Sequence, residues 1–444
     1  MRIKRLFLSA ILFLSSSILF AQQKSNPDSI RQKMQWYADA KLGIFIHWGI
    51  YAVNGIDESW SFYNKKISWT DYMKQLNGFT ASKYEPKGLV NLIKESGAGY
   101  AVITTKHHDG VALWNSKENH YNVVKNTPAK RDLIAPLVNE LRAQHIKVGN
   151  YFSLIDWSHP DYTGFLKDSN RYKIADDPAR WNRFKKFFQS QLNEISTTFN
   201  PDLYWFDGDW EHTAEEWECQ NIRQHILQKN PNAIINGRLM GYGDYETPEQ
   251  NVPVSRPIFN WWELCMTTNN NWGFQHNDTN WKTPSEIITL FADVVSNGGN
   301  LLLDIGLRED GTVPDEQVTI LQELGTWNKK HAQAIFGTHA GIAQGHFYGP
   351  TTLSKDSTSL FLFLQGHTAG NIMVKGLVNR IKEIQVLGNG TNLNHKVVGK
   401  ISWSPVPGLV YINIPEGVQD KYLTVLELKL DGPVKLYRGH GGFN

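Results

Sequence analysis

Along the chain, apolar residues fall into short continuous runs separated by longer stretches in which they recur every three or four positions. This alternation holds from about residue 36 to 335. The runs Leu42–Trp48, Tyr100–Lys106, Ile146–Leu154, Leu203–Asp207, Ala233–Asn236, Ile258–Trp262 and Leu301–Ile305 predict strands covered on both faces. Between them, Leu89-Leu92-Ile93, Leu133–Leu141, Trp181–Phe199 and Ile287–Val295 predict helices with one inward face. In the third, Trp181, Phe184, Phe188, Leu192 and Ile195 lie three and four apart, which places them on one stripe. Seven or eight such alternations predict an α/β architecture, a (β/α)8-like barrel rather than an open sheet. After Gly337 the pattern changes to short β-rich runs broken by Gly, Asn and Pro: Leu360–Leu364, Ile372–Val374, Ile384–Leu387, Val410–Ile414 and Leu423–Leu430. These predict a C-terminal antiparallel β-sandwich. The expected division is a barrel over residues 22–340 and a sandwich over 341–444, with no internal repeat.

With 444 residues the chain is long enough for a barrel-sized unit and a smaller one. Its 45 basic and 43 acidic residues, spread without long runs, leave a formal charge of +2. That gives no electrostatic footprint for nucleic acid or an anionic membrane, and a neutral substrate fits better. The 16 Trp residues agree with a substrate that has apolar faces. At the N-terminus, Arg2, Lys4 and Arg5 precede an apolar run from Leu6 to Phe20 that ends at Ala21 before Gln22-Gln23-Lys24. This predicts a secretory signal peptide over residues 1–21, and hence a periplasmic or extracellular protein without a membrane span. Cys219 and Cys265 allow at most one disulfide and form no paired metal-ligand motif; buried free thiols are expected. Nothing in the pattern sets an oligomeric state, so an oligomer is left open.

Catalytic groups of such a barrel stand at the C-terminal ends of its strands. There the chain carries His47-Trp48, His107-His108-Asp109, Tyr151, Trp205-Phe206-Asp207 and Asn236-Gly237-Arg238; the next loop holds Glu246 and Glu249, and the sixth predicted strand runs into Trp262-Glu263. One His at a strand end is commonly structural, and an Asp before Gly commonly a turn. Five strand ends converging on one rim with His, Trp, Arg and carboxylates exceed what stability asks for. His107 and His108 are adjacent and should point to opposite faces, so one ion could take both only if the chain kinks there. With no H-x-H or H-E-x-x-H spacing either, the reading carries no metal and no cofactor.

The ordered segments LGIFIHWGIYAV (42–53), ESWSFY (58–63), TTKHHDGVALW (104–114), LYWFDGDW (203–210), INGR (235–238), YETPEQ (245–250), WWELCMTTNNNWGF (261–274) and SNGGNLLLDIGLREDGTVP (296–314) span nearly the whole barrel. In them the chain resembles glycoside hydrolase family 29, the retaining α-L-fucosidases. The resemblance implies a hydrolase acting on terminal fucosyl residues of oligosaccharides or glycoconjugates. It implies Asp207 as the nucleophile, a role that Arg238 and the histidines would support by stabilising its charge. For the general acid/base it points to Glu249, in the TPE segment; the runner-up, read from the residues themselves, is Glu263, a strand-borne carboxyl whose two Trp neighbours could raise its pKa, with holding Arg238 or a loop as its structural alternative. The same resemblance implies a sugar-binding shell of His47, Glu58, Trp60, His107, His108, Tyr151, Trp205 and Arg238, with Phe45 and Trp272 cradling the fucose methyl group. Val111, Asn150, Asp304 and Leu307 depart from the common family pattern, which touches the pocket floor or the leaving-group side rather than the carboxylates.

Two competing readings follow. A catalytically inactive glycan-binding protein would be expected to lack the nucleophile, which is present. A retaining α-L-galactosidase would need a polar partner for a hydroxymethyl group where Phe45 and Trp272 stand.

Overall fold

Seven parallel strands form the first sheet: β1 (Leu42–His47), β2 (Tyr100–Lys106), β3 (Lys147–Ser153), β4 (Leu203–Asp207), β5 (Ile234–Ile235), β6 (Glu263–Thr267) and β7 (Asn300–Gly306). They pair in the order β5-β4-β3-β2-β1-β7-β6. The computed structural model describes residues 27–164, 172–366 and 370–439, so the expected signal peptide lies outside the described residues. Between β5 and β6 the chain from Tyr245 to Gln250 takes the eighth place. Single bridges tie Tyr245 to Asn236, Glu246 to Trp262 and Glu249 to Cys265. The Glu263 N–H donates to the Glu246 carbonyl (2.8 Å), and the Cys265 N–H to that of Pro248 (3.1 Å). Pro248 has no N–H to return, so this stave stays irregular while it closes the (β/α)8-like barrel.

Strand residues alternate between two apolar layers, as closure requires. Phe45, Val102, Tyr151, Trp205, Cys265 and Leu302 fill the interior. Ile44, Ile46, Phe152, Phe206, Leu264 and Leu303 face the surrounding helices. The helix Pro27–Ala40 plugs the N-terminal end with Met34 and Tyr37, where Asn300 Nδ2 donates to the Tyr37 carbonyl at 2.7 Å. The apolar stripe of Pro178–Thr198 lies buried as its spacing predicts, and Asp177 caps that helix through the Arg180 N–H (2.9 Å). Thr283 and Glu286 form a capping box on Pro284–Ser296. Among the described residues no helix is long and apolar enough to cross a membrane. Cys219 and Cys265 are buried and free.

One strand is displaced from its expected place. Ile258–Trp262 is not a strand: Ile258 is 95 % exposed, and the paired strand begins only at Glu263, with a single bridge at Trp262 before it. An apolar run reports hydrophobicity but not the direction in which it faces, and here the run belongs to the crossover outside the barrel. Glu263 therefore opens β6 instead of following it, and sits deep in the barrel rather than on the rim.

The second module has a five-stranded sheet of β8 (His339–Ala340), β9 (Thr351–Leu353), β10 (Ser359–Leu364), β12 (Ile381–Val386) and β15 (Thr424–Leu430). It faces a three-stranded sheet of β11 (Gly370–Lys375), β13 (His395–Val398) and β14 (Leu409–Ile414). Leu360, Leu362, Leu426 and Leu428 pack against Val410 and Ile412 between the sheets. The opposite face, with Phe361, Phe363 and Val425, joins the barrel's outer core, and Trp327 of the helix Asp315–Ile335 donates to the Leu423 carbonyl at 2.9 Å.

Candidate active site

β4 delivers Asp207 to the C-terminal rim, and Gly208 at φ +82° turns the chain away at once; a Cβ there would lie 2.7 Å from Ile155. Register sets Tyr151 beside Trp205 and Ser153 beside Asp207. The Tyr151 hydroxyl donates to Asp207 Oδ2 (2.9 Å), and Arg238 Nη1 donates to Oδ1 (3.1 Å). Arg238, just past β5, turns its other terminal nitrogen to Glu249 Oε2 at 2.5 Å, and its guanidinium lies 4.6 Å from the Trp205 ring centre. One cation thus holds one oxygen of each carboxylate. The Glu249 side chain is 39 % exposed and that of Asp207 11 %, so the first opens to the mouth and the second lies at the bottom.

Glu263 is not on this surface. Its carboxylate is fully buried beneath Trp205, accepting from Trp205 Nε1 at 3.0 Å and from the Tyr100 hydroxyl. Burial pushes its pKa up to about 7 against the downward pull of Tyr100, Trp205 and Arg238.

The adjacent histidines both face the site, contrary to strand alternation. β2 ends at Lys106 after a register shift, and the rings of His107 and His108 lie 4.3 Å apart. The Ser153 hydroxyl donates to the Ile155 carbonyl (2.7 Å), so it must accept from His108 Nδ1 (2.6 Å). This leaves His108 Nε2 an acceptor, buried without a protein partner, 3.7 Å from Asp207 Oδ2. Burial, then Lys106, depresses the His108 pKa to about 3, so the ring is neutral. His107, held by Ser59, is likewise driven well below the ordinary range by burial and by His108. His47 differs. Burial alone would lower its pKa, but Asp304, hydrogen-bonded to Nδ1 at 2.6 Å, together with Glu58 and Asp207 holds it above the ordinary value.

Apolar walls complete the pocket. Phe45 lies 5.0 Å from Trp205 and 6.2 Å from Trp272, which lies 5.2 Å from His47. Glu58 accepts from the Gly273 N–H, and Trp60 stands edge-on to His108 at 5.5 Å. The fold therefore gathers Phe45, His47, Glu58, Trp60, His107, His108, Tyr151, Trp205, Asp207, Arg238, Glu249 and Trp272 on one rim, and places Glu263 below it. Sequence reasoning assigned no role to Ser59, Ser153 and Tyr100, which orient these groups, nor to the rim aromatics Tyr63, Trp157 and Trp210. Of these, Ser59 and Tyr63 stand in the segment ESWSFY and Trp210 in LYWFDGDW, so their signal lay in the quoted segments and not in any residue pattern.

Two carboxylates on one guanidinium, among imidazoles and flat apolar rings at the open end of a (β/α) barrel, are the kinds of group that glycoside hydrolysis uses. Residues 13–333 match the family model described as Alpha-L-fucosidase. The chain is 30 % identical over 348 residues to an alpha-L-fucosidase of Branchiostoma floridae, covering 71 % of this chain and 76 % of the relative. Among solved structures, alpha-L-fucosidase isoenzyme 1 from Paenibacillus thiaminolyticus superposes with a TM-score of 0.81 at 32 % identity, covering 91 % of this chain and all of that one. A GH29 alpha-L-fucosidase from Bacteroides thetaiotaomicron, described as a trapped covalent intermediate with 2-fluoro-fucosyl fluoride, superposes with a TM-score of 0.80 at 27 % identity, covering 90 % and 96 %. The chain belongs to the α-L-fucosidase family.

Proposed function

We propose that this α-L-fucosidase releases terminal fucosyl residues from fucosylated glycans with retention of anomeric configuration, Asp207 acting as nucleophile and Glu249 as general acid/base. The observation that carries the reading is the shared Arg238 guanidinium. It draws one oxygen of each carboxylate to a single cation, which supports reading them as a working pair; direct attack at the anomeric carbon asks for a carboxyl separation of about 5–5.5 Å, and inversion through a water for about 6.5–9.5 Å. In the first step Asp207 attacks the anomeric carbon while Glu249 gives its proton to the departing oxygen. In the second, Glu249 takes a proton from water, which displaces Asp207. The covalent intermediate described for the Bacteroides relative supports the same sequence here.

The exposure of Glu249 suits exchange with the leaving group and water. The enclosure of Glu263 suits a positioning role: it fixes the Trp205 indole, on whose face Arg238 rests. His47, His107, His108, Glu58 and Trp60 would receive the ring hydroxyls, with His108 Nε2 available as an acceptor. Phe45 and Trp272 would wall the fucose methyl group. Proton NMR of the first-formed sugar tests the mechanism: α-L-fucose is expected before mutarotation, and β-L-fucose would remove Asp207 from the nucleophile's place.

A further inference from the structure

β1 and β7 lie side by side with Phe45 opposite Asp304, so His47, two positions further on, faces the same way as that carboxylate. His47 Nδ1 meets Asp304 Oδ1 at 2.6 Å, and the two side chains keep only 5 % and 1 % of their surfaces open. Asp304 Oδ2 is buried without a protein partner. His47 Nε2 has no hydrogen-bond partner among the described residues. Its ring stands in the pocket wall, 4.4 Å from Phe45, 5.2 Å from Trp272 and 5.9 Å from Tyr151. Asp304 is also one of the residues in which the sequence departs from the common family pattern.

An isolated charge this enclosed is costly, so the pair favours a net charge of zero. Two placements of the shared proton achieve that: on Nδ1 with Asp304 ionised, or on Oδ1 with the imidazole neutral. In both, Nε2 carries a hydrogen. Only the loss of a further proton, which leaves Nδ1–H against an ionised Asp304, turns Nε2 into an acceptor. The surrounding charges lean the same way at His47: Glu58 and Asp207 favour its proton, while Lys282 opposes the proton on Asp304. Glu58 is itself lifted by burial against the pull of His47. Burial drives His107, 6.2 Å from His47, well below the ordinary range, and Tyr51 and Tyr151 well above theirs. Burial also pushes Asp304 up to about 7, and at His47 the pull of Asp304, Glu58 and Asp207 outweighs burial; both are the directions of a pair that keeps its proton.

We propose that Asp304 is a positioning residue that fixes His47 Nε2–H as a hydrogen-bond donor to a sugar hydroxyl, opposite in sense to the acceptor that Ser153 fixes at His108. The inference rests on the fucosidase reading of this pocket and adds a polarity to it. One imidazole gives and another takes, which suits hydroxyls, since each is donor and acceptor at once.

The test follows kcat/KM for a dinitrophenyl fucoside from pH 5 to 9. That leaving group needs little protonation, so Glu249 adds no alkaline limb before the fucosyl-enzyme forms. The wild type should lose at least tenfold on the alkaline side, with a rise in KM, as the pair gives up its proton and Nε2 ceases to donate. Asn cannot share the proton, so in Asp304→Asn the limb should leave its wild-type place by at least one pH unit. Nitrogen NMR of the wild type labelled with 15N-histidine gives a second readout that needs no folded Asp304 variant. The ring missing from the spectrum of His47→Gln should keep Nε2 protonated up to the pH of the limb. A wild type without the limb, a limb unmoved in Asp304→Asn, or an Nε2 already unprotonated at pH 6 overturns the assignment. No hydrolysis of the fucoside at any pH would overturn the fucosidase reading, and this inference with it.

Discussion

Arg238 reaches Asp207 with one nitrogen and Glu249 with the other, so the two carboxylates are set by a single side chain. Their proposed roles separate when one is removed. Glu249→Ala should form the fucosyl-enzyme readily from a dinitrophenyl fucoside, whose departure needs little protonation, and then stall. Added azide needs no general base; it should restore turnover at least tenfold and yield α-fucosyl azide, read by NMR. Rescue of Glu263→Ala and not of Glu249→Ala would reverse the assignment.

Glu263 carries a different signature at the same scale. Its folded pKa of about 7 stands above the ordinary 4.5, so the folded state holds this proton more tightly than the unfolded chain. The stabilisation is complete below pH 4.5 and is lost as pH rises through about 7. Glu263→Gln removes the titration while keeping the shape. The melting temperature of the wild type relative to this variant should therefore fall by a few degrees from pH 4.5 to 7 and level off above, measured by calorimetry. Parallel curves across that range would place the titration elsewhere.

At the scale of elements, closeness of backbones sets what the sequence can tolerate. In the helix Asp315–Ile335, a Cβ at Gly325 would lie 2.0 Å from the Glu95 carbonyl oxygen, a backbone atom that cannot turn aside. Gly325→Ala should force the helices apart and cost about 3 kcal/mol. Gly88, exposed in the helix Pro86–Glu95, has its nearest neighbour at 3.8 Å. There Gly88→Ala should stabilise by about 0.5–1 kcal/mol, through helix propensity alone. Denaturant melts of the two variants check both signs. The irregular stave from Tyr245 to Gln250 obeys the same logic: Pro248 interrupts its ladder, and the chain there presents Glu249 to the mouth while still closing the barrel.

For the molecule as a whole, the sandwich is no appendage. Phe361, Phe363 and Val425 belong to the same apolar layer as the barrel helices, and Trp327 is hydrogen-bonded across the junction. Shared burial couples the two modules, so unfolding should appear as one calorimetric transition. Phe363→Ala, at a fully buried position, should cost about 3–5 kcal/mol and shift that transition entire. Two separate endotherms, only one of them moved, would show the modules to be independent.

The chain's own pattern determined the barrel and the sandwich, because buried strands must be apolar on both faces whatever their partners. The helix stripe ending at Ile195 and the polar residues that end β1, β2 and β4 were legible for that reason. The family motifs carried the pocket residues. Depth and facing were not legible, since periodicity records hydrophobicity without saying which side a run meets. Hence the sixth strand begins at Glu263 instead of ending there, and that carboxylate lies under Trp205. Likewise the two adjacent histidines share one pocket only because β2 ends before them. The bridging of Asp207 and Glu249 by Arg238, and the exposed Trp210 beside His108, join residues from different staves. Such contacts exist only once the barrel closes, and closure is set by pairing between segments that no local pattern encodes.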